Sequence, residues 1–282
     1  MRQTYFTLGR IQAEKKELQY SVDLFQQMNT QYQRQADLKN VPKAEFFRLQ
    51  TELIGLQKER IELENDEIEA INQLRLLTQN QELNTDDIDF TLFNHHSKSI
   101  PLNIKQLAKE QNIELKRQEN EINIAEKQLV LEKAERTPDL AFQVAYDRGG
   151  GIMRDFVGFG VSMDLPIFNT NKGNIKAAEI SIKQEKLNKT AASFELDNTI
   201  DRLQNQINQL DKALVQWKNM NNDEQLMMID NYKKHLQNRQ VTLLEFIDFI
   251  QAYRESQQAY LDLLETYQNT FEELNYIVGQ DF

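Results

Sequence analysis

"FVGFGVSMDLPIFNTNKGNIKAAE", residues 156–179, changes its period halfway along. In its first part Val157, Phe159, Val161, Met163, Leu165 and Ile167 fall on one side of an extended chain. Gly158, Gly160, Ser162 and Asp164 fall on the other. After "NTNKGN" the spacing turns helical. The stretch before it alternates in the same way: Leu140, Phe142, Val144 and Tyr146 oppose Ala141, Gln143, Ala145 and Asp147. "RGGGIMRD", residues 148–155, would join the two strands. One face is wholly apolar and the other small or polar over roughly ten residues per strand, the pattern of strands with lipid outside and a polar lumen inside. A soluble hairpin packed on helices would alternate similarly. A lone hairpin is only marginally stable, so under either reading these strands need partners.

The rest of the chain reads as helix. The spacing predicts helices over 2–38 and 44–79, broken at "KNVPK" (39–43), where Pro42 suits a helix start. Residues 80–100 form a connector in which "DFTLF" has the look of a short strand. A third helix is expected from Pro101 to about residue 136, ended by Thr137-Pro138. A fourth is expected over 175–235 and a last one up to Gly279, a natural helix stop. Leu196, Ile200, Leu203, Ile207, Leu210, Leu214 and Trp217 alternate four and three apart, a coiled-coil seam. A helix over 175–235 would be roughly 90 Å long, which suits a tube rather than a globule.

Composition narrows the function. The 282 residues carry a formal net charge of -11, with four Pro and nine Gly, and the mean hydropathy is -0.67. Nucleic acid needs a basic surface and is excluded as a partner. The absence of cysteine removes disulfides, thiolate metal sites and cysteine nucleophiles. No segment has the apolar run of a membrane-spanning helix, and "MRQTYFTLGRIQ" lacks the apolar core of an export signal. His95 and His96 are adjacent in a polar loop without a ligand set around them, and His235 reads as solvated. The glycines at 149–151 lack the Lys-Ser/Thr of a phosphate loop. Nothing in the residues calls for a catalytic centre, a cofactor or a bound metal.

The chain repeats itself at an offset of 200. Met28, Tyr32, Val41, Glu45, Phe46, Leu63 and Leu74 meet Met228, Tyr232, Val241, Glu245, Phe246, Leu263 and Leu274. The stripe Phe46, Leu49, Leu53, Leu56, Leu63, Leu74, Leu77 is matched by Phe246, Phe249, Tyr253, Tyr260, Leu263, Leu274, Ile277. Two coiled coils always align at some offset, but here both stripes begin just after a helix break, which favours duplication. The chain thus divides into a first coiled-coil hairpin (1–79), a connector (80–100) and a second repeat (101–282). That second repeat holds an opening helix, the strand hairpin 139–168 and a coiled-coil hairpin 172–279. By this symmetry the first repeat is expected to lack an opening helix, a strand pair and an export signal, which would precede residue 1.

"AEKQLVLEKAERTPDLAF" (125–142) and "VGFGVSMDLPIFNTNKGNIKAAE" (157–179) together resemble the TolC family of outer-membrane efflux proteins, as a helix ending in Pro before one barrel strand and a returning strand with "LPIFN" before an Ala-rich helix. The breaks at 41–46 and 241–246 resemble that family's hairpin tips, with Asn40 and Gln240 where Gly is usual. The resemblance implies a mainly α fold, with long antiparallel coiled-coil helices forming a periplasmic α-barrel and one β-hairpin contributing to a transmembrane β-barrel. It implies a homotrimer that passively exports small molecules or metal ions. The helical part would lie in the periplasm and the strands in outer-membrane lipid. A periplasmic adaptor (membrane fusion protein) and an inner-membrane pump would be its partners. The "LPIFNTNKGNI" wording looks most like the branch paired with heavy-metal pumps.

Site residues follow from the resemblance. Glu245 and Asp248 in "EFID" match the periplasmic entrance constriction, with Glu45 and Arg48 at the equivalent place of the first repeat as pairing partners that close it. Three copies would make a ring of like charge. The tips, with Val41, Pro42, Val241, Thr242 and Leu243 exposed, would contact the adaptor. Val157, Phe159, Val161, Met163 and Leu165 would face lipid. The reading from another class is a soluble coiled-coil scaffold without membrane insertion, which has no need for the apolar strand face.

Overall fold

The computed structural model describes all residues except 95–98, 150, 152–153, 164–169 and 221–223, with the side chains of 219–220 and 224–226 also left out. The readings on His95, His96, Leu165 and Ile167 lie outside the described residues. Helices α1 (Arg2–Asp37) and α2 (Lys43–Thr78) are followed by a 3-10 turn (Thr85–Asp87), α3 (Ile104–Gln111), α4 (Ile113–Ala134), strands β1 (Leu140–Asp147) and β2 (Phe156–Met163), and helices α5 (Lys172–Met220), α6 (Glu224–Gln237) and α7 (Leu243–Val278). The chain forms two compact units, residues 1–102 with 200–282, and residues 103–199.

In the first unit α1 packs against both α2 and α7. One core joins Val22, Phe25 and Met28 of α1, Leu49, Leu53 and Leu56 of α2, Ile229 and Leu236 of α6, and Phe246, Ile247 and Ile250 of α7. A second cluster joins Leu8 and Ile11 of α1 to Ile71 and Leu74 of α2 and to Leu83, Ile88 and Phe90 of the connector. The predicted stripe of α2 is buried at Leu49, Leu53, Leu56, Leu63 and Leu74, but Leu77 is exposed, and Ala70 and Ile71 are buried in its stead. In α7 the buried residues are Phe246, Ile247, Ile250, Leu261, Leu264, Tyr267, Phe271, Leu274 and Val278. That stripe is turned from the predicted one: Phe246 and Leu274 are common to both, while Phe249, Tyr253, Tyr260, Leu263 and Ile277 sit at its half-buried margin.

"DFTLF" is no strand. Phe93 N–H donates to the Phe90 carbonyl at 3.1 Å in a turn. Phe93 is fully buried against Gly9, where an added Cβ would lie 2.8 Å from the ring. Gln268 Nε2 donates to the Phe93 carbonyl at 2.9 Å, and Tyr5 donates its hydroxyl to the Asp89 carbonyl at 2.7 Å. The backbone hydrogen bonds of the connector thus go to side chains of α1 and α7, where an isolated strand would leave them unpaired.

In the second unit the expected third helix is two. Asn112 leaves helical geometry (ψ 125°), and its side chain accepts from Leu115 N–H at 2.8 Å. An Asn that caps a new helix competes with continuation of the old one. Ion pairs Lys109–Asp197 at 2.8 Å and Lys186–Glu126 at 3.5 Å, together with Lys189–Glu119, lay α5 antiparallel to α3 and α4. Asn171 is left-handed (φ 53°), and its amide donates to the Glu132 carbonyl at 2.9 Å, tying the start of α5 to the end of α4. Gly173 and Asn174 of "NTNKGN" already belong to α5. The long helix expected over 175–235 is described as α5, 49 residues, and α6, 14 residues. Its seam is buried at Leu196, Ile200, Leu203, Ile207 and Leu214 and half-buried at Leu210 and Trp217.

Candidate functional site

Two features of the fold hold the residues singled out from the sequence: the pair of helical turns at 38–42 and 238–242 in the first unit, and the strand hairpin in the second.

The turns are copies of one another, bond for bond. Lys39 N–H donates to the Ala36 carbonyl at 3.0 Å and Asn40 N–H to the Gln35 carbonyl at 2.9 Å. Arg239 N–H donates to Leu236 at 3.0 Å and Gln240 N–H to His235 at 2.8 Å. Each is a Schellman motif, which satisfies the last carbonyls of a helix. The left-handed residue is Lys39 (φ 63°) in one and Arg239 (φ 59°) in the other. The turn therefore does not require glycine at 40 or 240. Their side chains act in its support: Asn40 Nδ2 donates to Gln35 Oε1 at 2.8 Å, and Gln240 pairs with His235.

The helices after the turns begin differently. Thr242 caps α7 in a reciprocal box. Its hydroxyl accepts from Glu245 N–H at 3.2 Å, and Glu245 Oε2 accepts from Thr242 N–H at 2.7 Å. These bonds from the Thr242 backbone and hydroxyl hold the exposed Glu245 carboxyl below its ordinary range. Pro42 stands at the matching place before α2 and has no N–H to offer Glu45. Glu45 instead lies near Tyr32, whose phenol is raised by burial and then by that charge. Asp248 and Arg48 are exposed one turn further along α7 and α2. Among the described residues no hydrogen bond or ion pair joins Glu45 or Arg48 to Glu245 or Asp248.

Pro42 and Thr242 are exposed, and Val41 and Val241 half-buried. Leu243, expected to be exposed, is only 4% exposed. It opens the buried stripe of α7 and packs in the core with Phe246, Leu236 and Met28. The residue that begins an amphipathic helix is on its inner face here, so proximity to the turn did not mean exposure.

The hairpin pairs β1 and β2 antiparallel, with Leu140 opposite Met163, Phe142 opposite Val161, Val144 opposite Phe159 and Tyr146 opposite Val157. All eight large side chains share one face. They are 49–82% exposed. Ala141, Gln143 and Ala145 oppose Ser162, Gly160 and Gly158 on the other face. Phe156 joins that small face and lays its ring over Gly158, where a Cβ would approach it to 2.9 Å.

Two features had no counterpart in the sequence reading. One is a cavity of about 520 Å³ flanked by α1, α2 and α7, with Leu18, Leu56 and Ile250 among its walls and Glu52, Glu62 and Glu255 at its rim. It forms between helices far apart in sequence, so no local pattern announces it. The other is a part-buried ionic cluster between α1 and α7. Arg10 Nη1 reaches Glu14 at 2.6 Å and Arg10 Nε reaches Glu265 at 2.5 Å. Burial raises the Glu14 carboxyl, against the opposing pull of Arg10.

No model of a known protein family matches this chain, and no curated protein matches its sequence. Solved structures do. CusC, described for the conformational changes that accompany its folding and transmembrane channel formation, shares 16% identity at a TM-score of 0.78 over 99% of this chain and 67% of its own. The outer-membrane channel OprN shares 10% at 0.81, over 98% of this chain and 64% of its own. The open-state MtrE outer-membrane channel of Neisseria gonorrhoeae shares 14% at 0.77, over 99% and 65%. The chain thus spans about two thirds of the length of these structures, with its helices and its strand hairpin both included in the match. At such identities the likeness speaks to architecture, and the architecture is plain: this chain has the TolC-like fold of the outer-membrane channels.

Proposed function

We propose that the chain is a subunit of an outer-membrane efflux channel, through which small molecules or metal ions pass without chemistry or energy input from the channel itself. The observation that carries this reading is the hairpin. Eight large apolar residues lie on one face, in register across both strands, and all are exposed. Lipid is the solvent such a face fits. The soluble scaffold reading leaves the face without an occupant. The channel-like fold supports the same conclusion.

In this reading the strands of several copies share a barrel in the outer membrane, in a homotrimer, and the helices form a periplasmic tube. An adaptor would dock on the turns, through Val41, Pro42, Val241 and Thr242, with Leu243 supporting them from beneath. Glu245 and Asp248 would narrow the periplasmic entrance, with Glu45 and Arg48 holding it. The cap bonds that keep Glu245 ionised also fix its direction, which suits a ring of fixed charge. The export partner fits the class of metal-ion or small-molecule pumps of the inner membrane. Among the described residues no constellation supports an enzymatic role.

The test is reconstitution into planar bilayers of a version carrying a complete set of strands. Discrete conductance steps are expected, with Glu245→Ala plus Asp248→Ala raising conductance or lowering cation preference. Absence of any step in lipid would overturn the channel reading. Unchanged steps in the double variant would remove Glu245 and Asp248 from the entrance.

A further inference from the structure

The cavity of about 520 Å³ between α1, α2 and α7 has a floor and a rim of opposite character. Its floor is apolar, with Leu18 and Phe25 of α1, Leu56 of α2 and Ile250 of α7, all of them buried. Its rim is acidic. Glu14, Glu17, Glu52, Glu59, Glu62 and Glu255 line it, with Lys58 and Arg254 as the cations among its lining residues. Both cations are already engaged, Lys58 with Glu62 at 2.8 Å and Arg254 with Glu59. Glu17 and Glu255 accept from neutral donors, the Tyr253 hydroxyl at 3.2 Å and Gln251 Nε2 at 2.9 Å.

Two further observations mark this space as one suited to a guest. The Glu14 side chain is only 8% exposed. Arg10 Nη1 donates to its Oε1 at 2.6 Å, and among the described residues nothing donates to its Oε2. Burial disfavours a carboxylate with an oxygen left without a partner, and it raises this carboxyl against the pull of Arg10. The second observation is Gly55, on the cavity wall in the interior of α2. A Cβ there would meet no atom within 4 Å. A helix interior disfavours glycine, and here neither a close neighbour nor a left-handed backbone calls for one. Its effect is to leave the cavity open.

We propose that this cavity binds an organic cation with an apolar body, the body on the Leu18–Phe25–Leu56–Ile250 floor and the charge among the glutamates of the rim. The volume is that of small-molecule sites, which join an apolar lining to a few polar groups. Among the described residues no three of these carboxylates converge as metal ligands do. Charge spread along a rim over an apolar floor suits an extended organic cation better than a bare metal ion, and it repels an anion of the same shape. None of Glu45, Arg48, Glu245 and Asp248 lines the cavity. The site is therefore separate from the entrance residues, and it stands whether or not the chain conducts.

The probes are tetraphenylphosphonium and tetraphenylborate, which share a shape and differ in sign. Calorimetric titration of the full chain in buffer should show one phosphonium bound per chain, more weakly as salt is added. Tetraphenylborate should bind at least about tenfold more weakly. Gly55→Leu fills the wall and favours the helix, so phosphonium binding should fall by about tenfold or more while the melting temperature holds or rises. Glu52→Gln with Glu255→Gln should also weaken binding, with the helical circular dichroism unchanged. Absence of phosphonium binding, or equal binding of the two ions, would overturn the proposal. Undiminished binding by Gly55→Leu would place the ion elsewhere and do the same. A change in the mass seen by light scattering on Gly55→Leu would mean that a second copy occupies the cavity, which also overturns it. Phosphonium binding as expected in a chain that gives no conductance steps would keep this site and remove the channel.

Discussion

Arg10 is the best place to measure what holds α1 to α7. Its guanidinium reaches Glu14 at 2.6 Å and Glu265 at 2.5 Å, with side-chain exposures of 18%, 8% and 17%. Replacing it by Met keeps the apolar stem and removes the charge. Two carboxylates then face each other with little water. Breaking a fully buried pair costs about 3–5 kcal/mol. Water reaches part of this cluster, and Thr7 Oγ1 still donates to Glu265 at 2.6 Å. Both discount the figure, to about 2–3 kcal/mol. For a chain of this size that lowers the melting temperature by about 4–10 °C.

The deficit also depends on pH, with a sign that the structure fixes. Burial already raises the Glu14 carboxyl, and Arg10 opposes that rise. Without Arg10 it rises further. A carboxyl raised in the folded state binds a proton more readily there than in the unfolded chain, so folding is favoured as pH falls towards the unfolded value. Urea unfolding at about pH 7.5 and about pH 5 should therefore show the Arg10→Met deficit shrinking at the lower pH. Arg10→Met with Glu14→Gln should recover part of it at both. A deficit below about 1 kcal/mol, or one that is equal at both pH values, would refute the buried-pair reasoning.

Gly9→Ala would drive a methyl to 2.8 Å from the Phe93 ring. A loss of about 1–3 kcal/mol is expected in urea unfolding, and an unchanged midpoint would show that the connector yields freely. Thr242→Ala should cost about 1 kcal/mol of helix capping. It should also bring the Glu245 carboxyl back up towards its ordinary range in a carboxyl-resolved NMR titration, because that carboxyl is lowered by Thr242. A depressed carboxyl favours folding above its unfolded pKa and loses that contribution as pH falls through its folded value, so the Thr242→Ala deficit should narrow in acid. Phe159→Lys puts a charge on the apolar strand face at about 2–4 kcal/mol near the bilayer centre. It should weaken liposome association, while Gln143→Lys on the small face should not; equal behaviour of the two would remove lipid as the occupant.

The turns were legible because helix punctuation is local. Identities at one offset located them, and the Schellman bonds at 35–40 and 235–240 obey the same offset. The strand face was legible too, since a period of two forces Val157, Phe159, Val161 and Met163 to one side whatever surrounds them. What failed was what depends on partners. "DFTLF" alternates like a strand, but Phe93 fills the space over Gly9, and a pattern of five residues cannot reveal that. The buried face of α7 is turned from the predicted stripe, because the side a helix buries is set by the helices packed on it and not by its own apolar spacing alone. The box at Thr242 was legible and passed over, since "TLLE" (242–245) is its signature.

The two repeats show which part of such a sequence is fixed by folding and which is open to function. Both keep the turn geometry, and each sends a buried apolar series into the core that four helices share, though the buried positions of α2 and α7 coincide at the offset only at Ile71 with Phe271 and Leu74 with Leu274. They differ where the structure tolerates it. Pro42 and Thr242 both start a helix, but only Thr242 gives its glutamate a partner. Ile54 and Arg254 occupy one repeat position, and each suits a different neighbour: Arg254 meets Glu59 in its own chain, while Ile54 is 66% exposed. If duplication had merely drifted, apolar residues would be lost at exposed sites faster than at buried ones, since solvent rewards polar replacements there. Along the face of α2 that carries Ile54 the reverse holds. The exposed copy keeps four apolar residues, Phe47, Ile54, Ile61 and Ile68, and the buried copy has two polar ones, Arg254 and Gln268, each with a hydrogen-bonded or ionic partner.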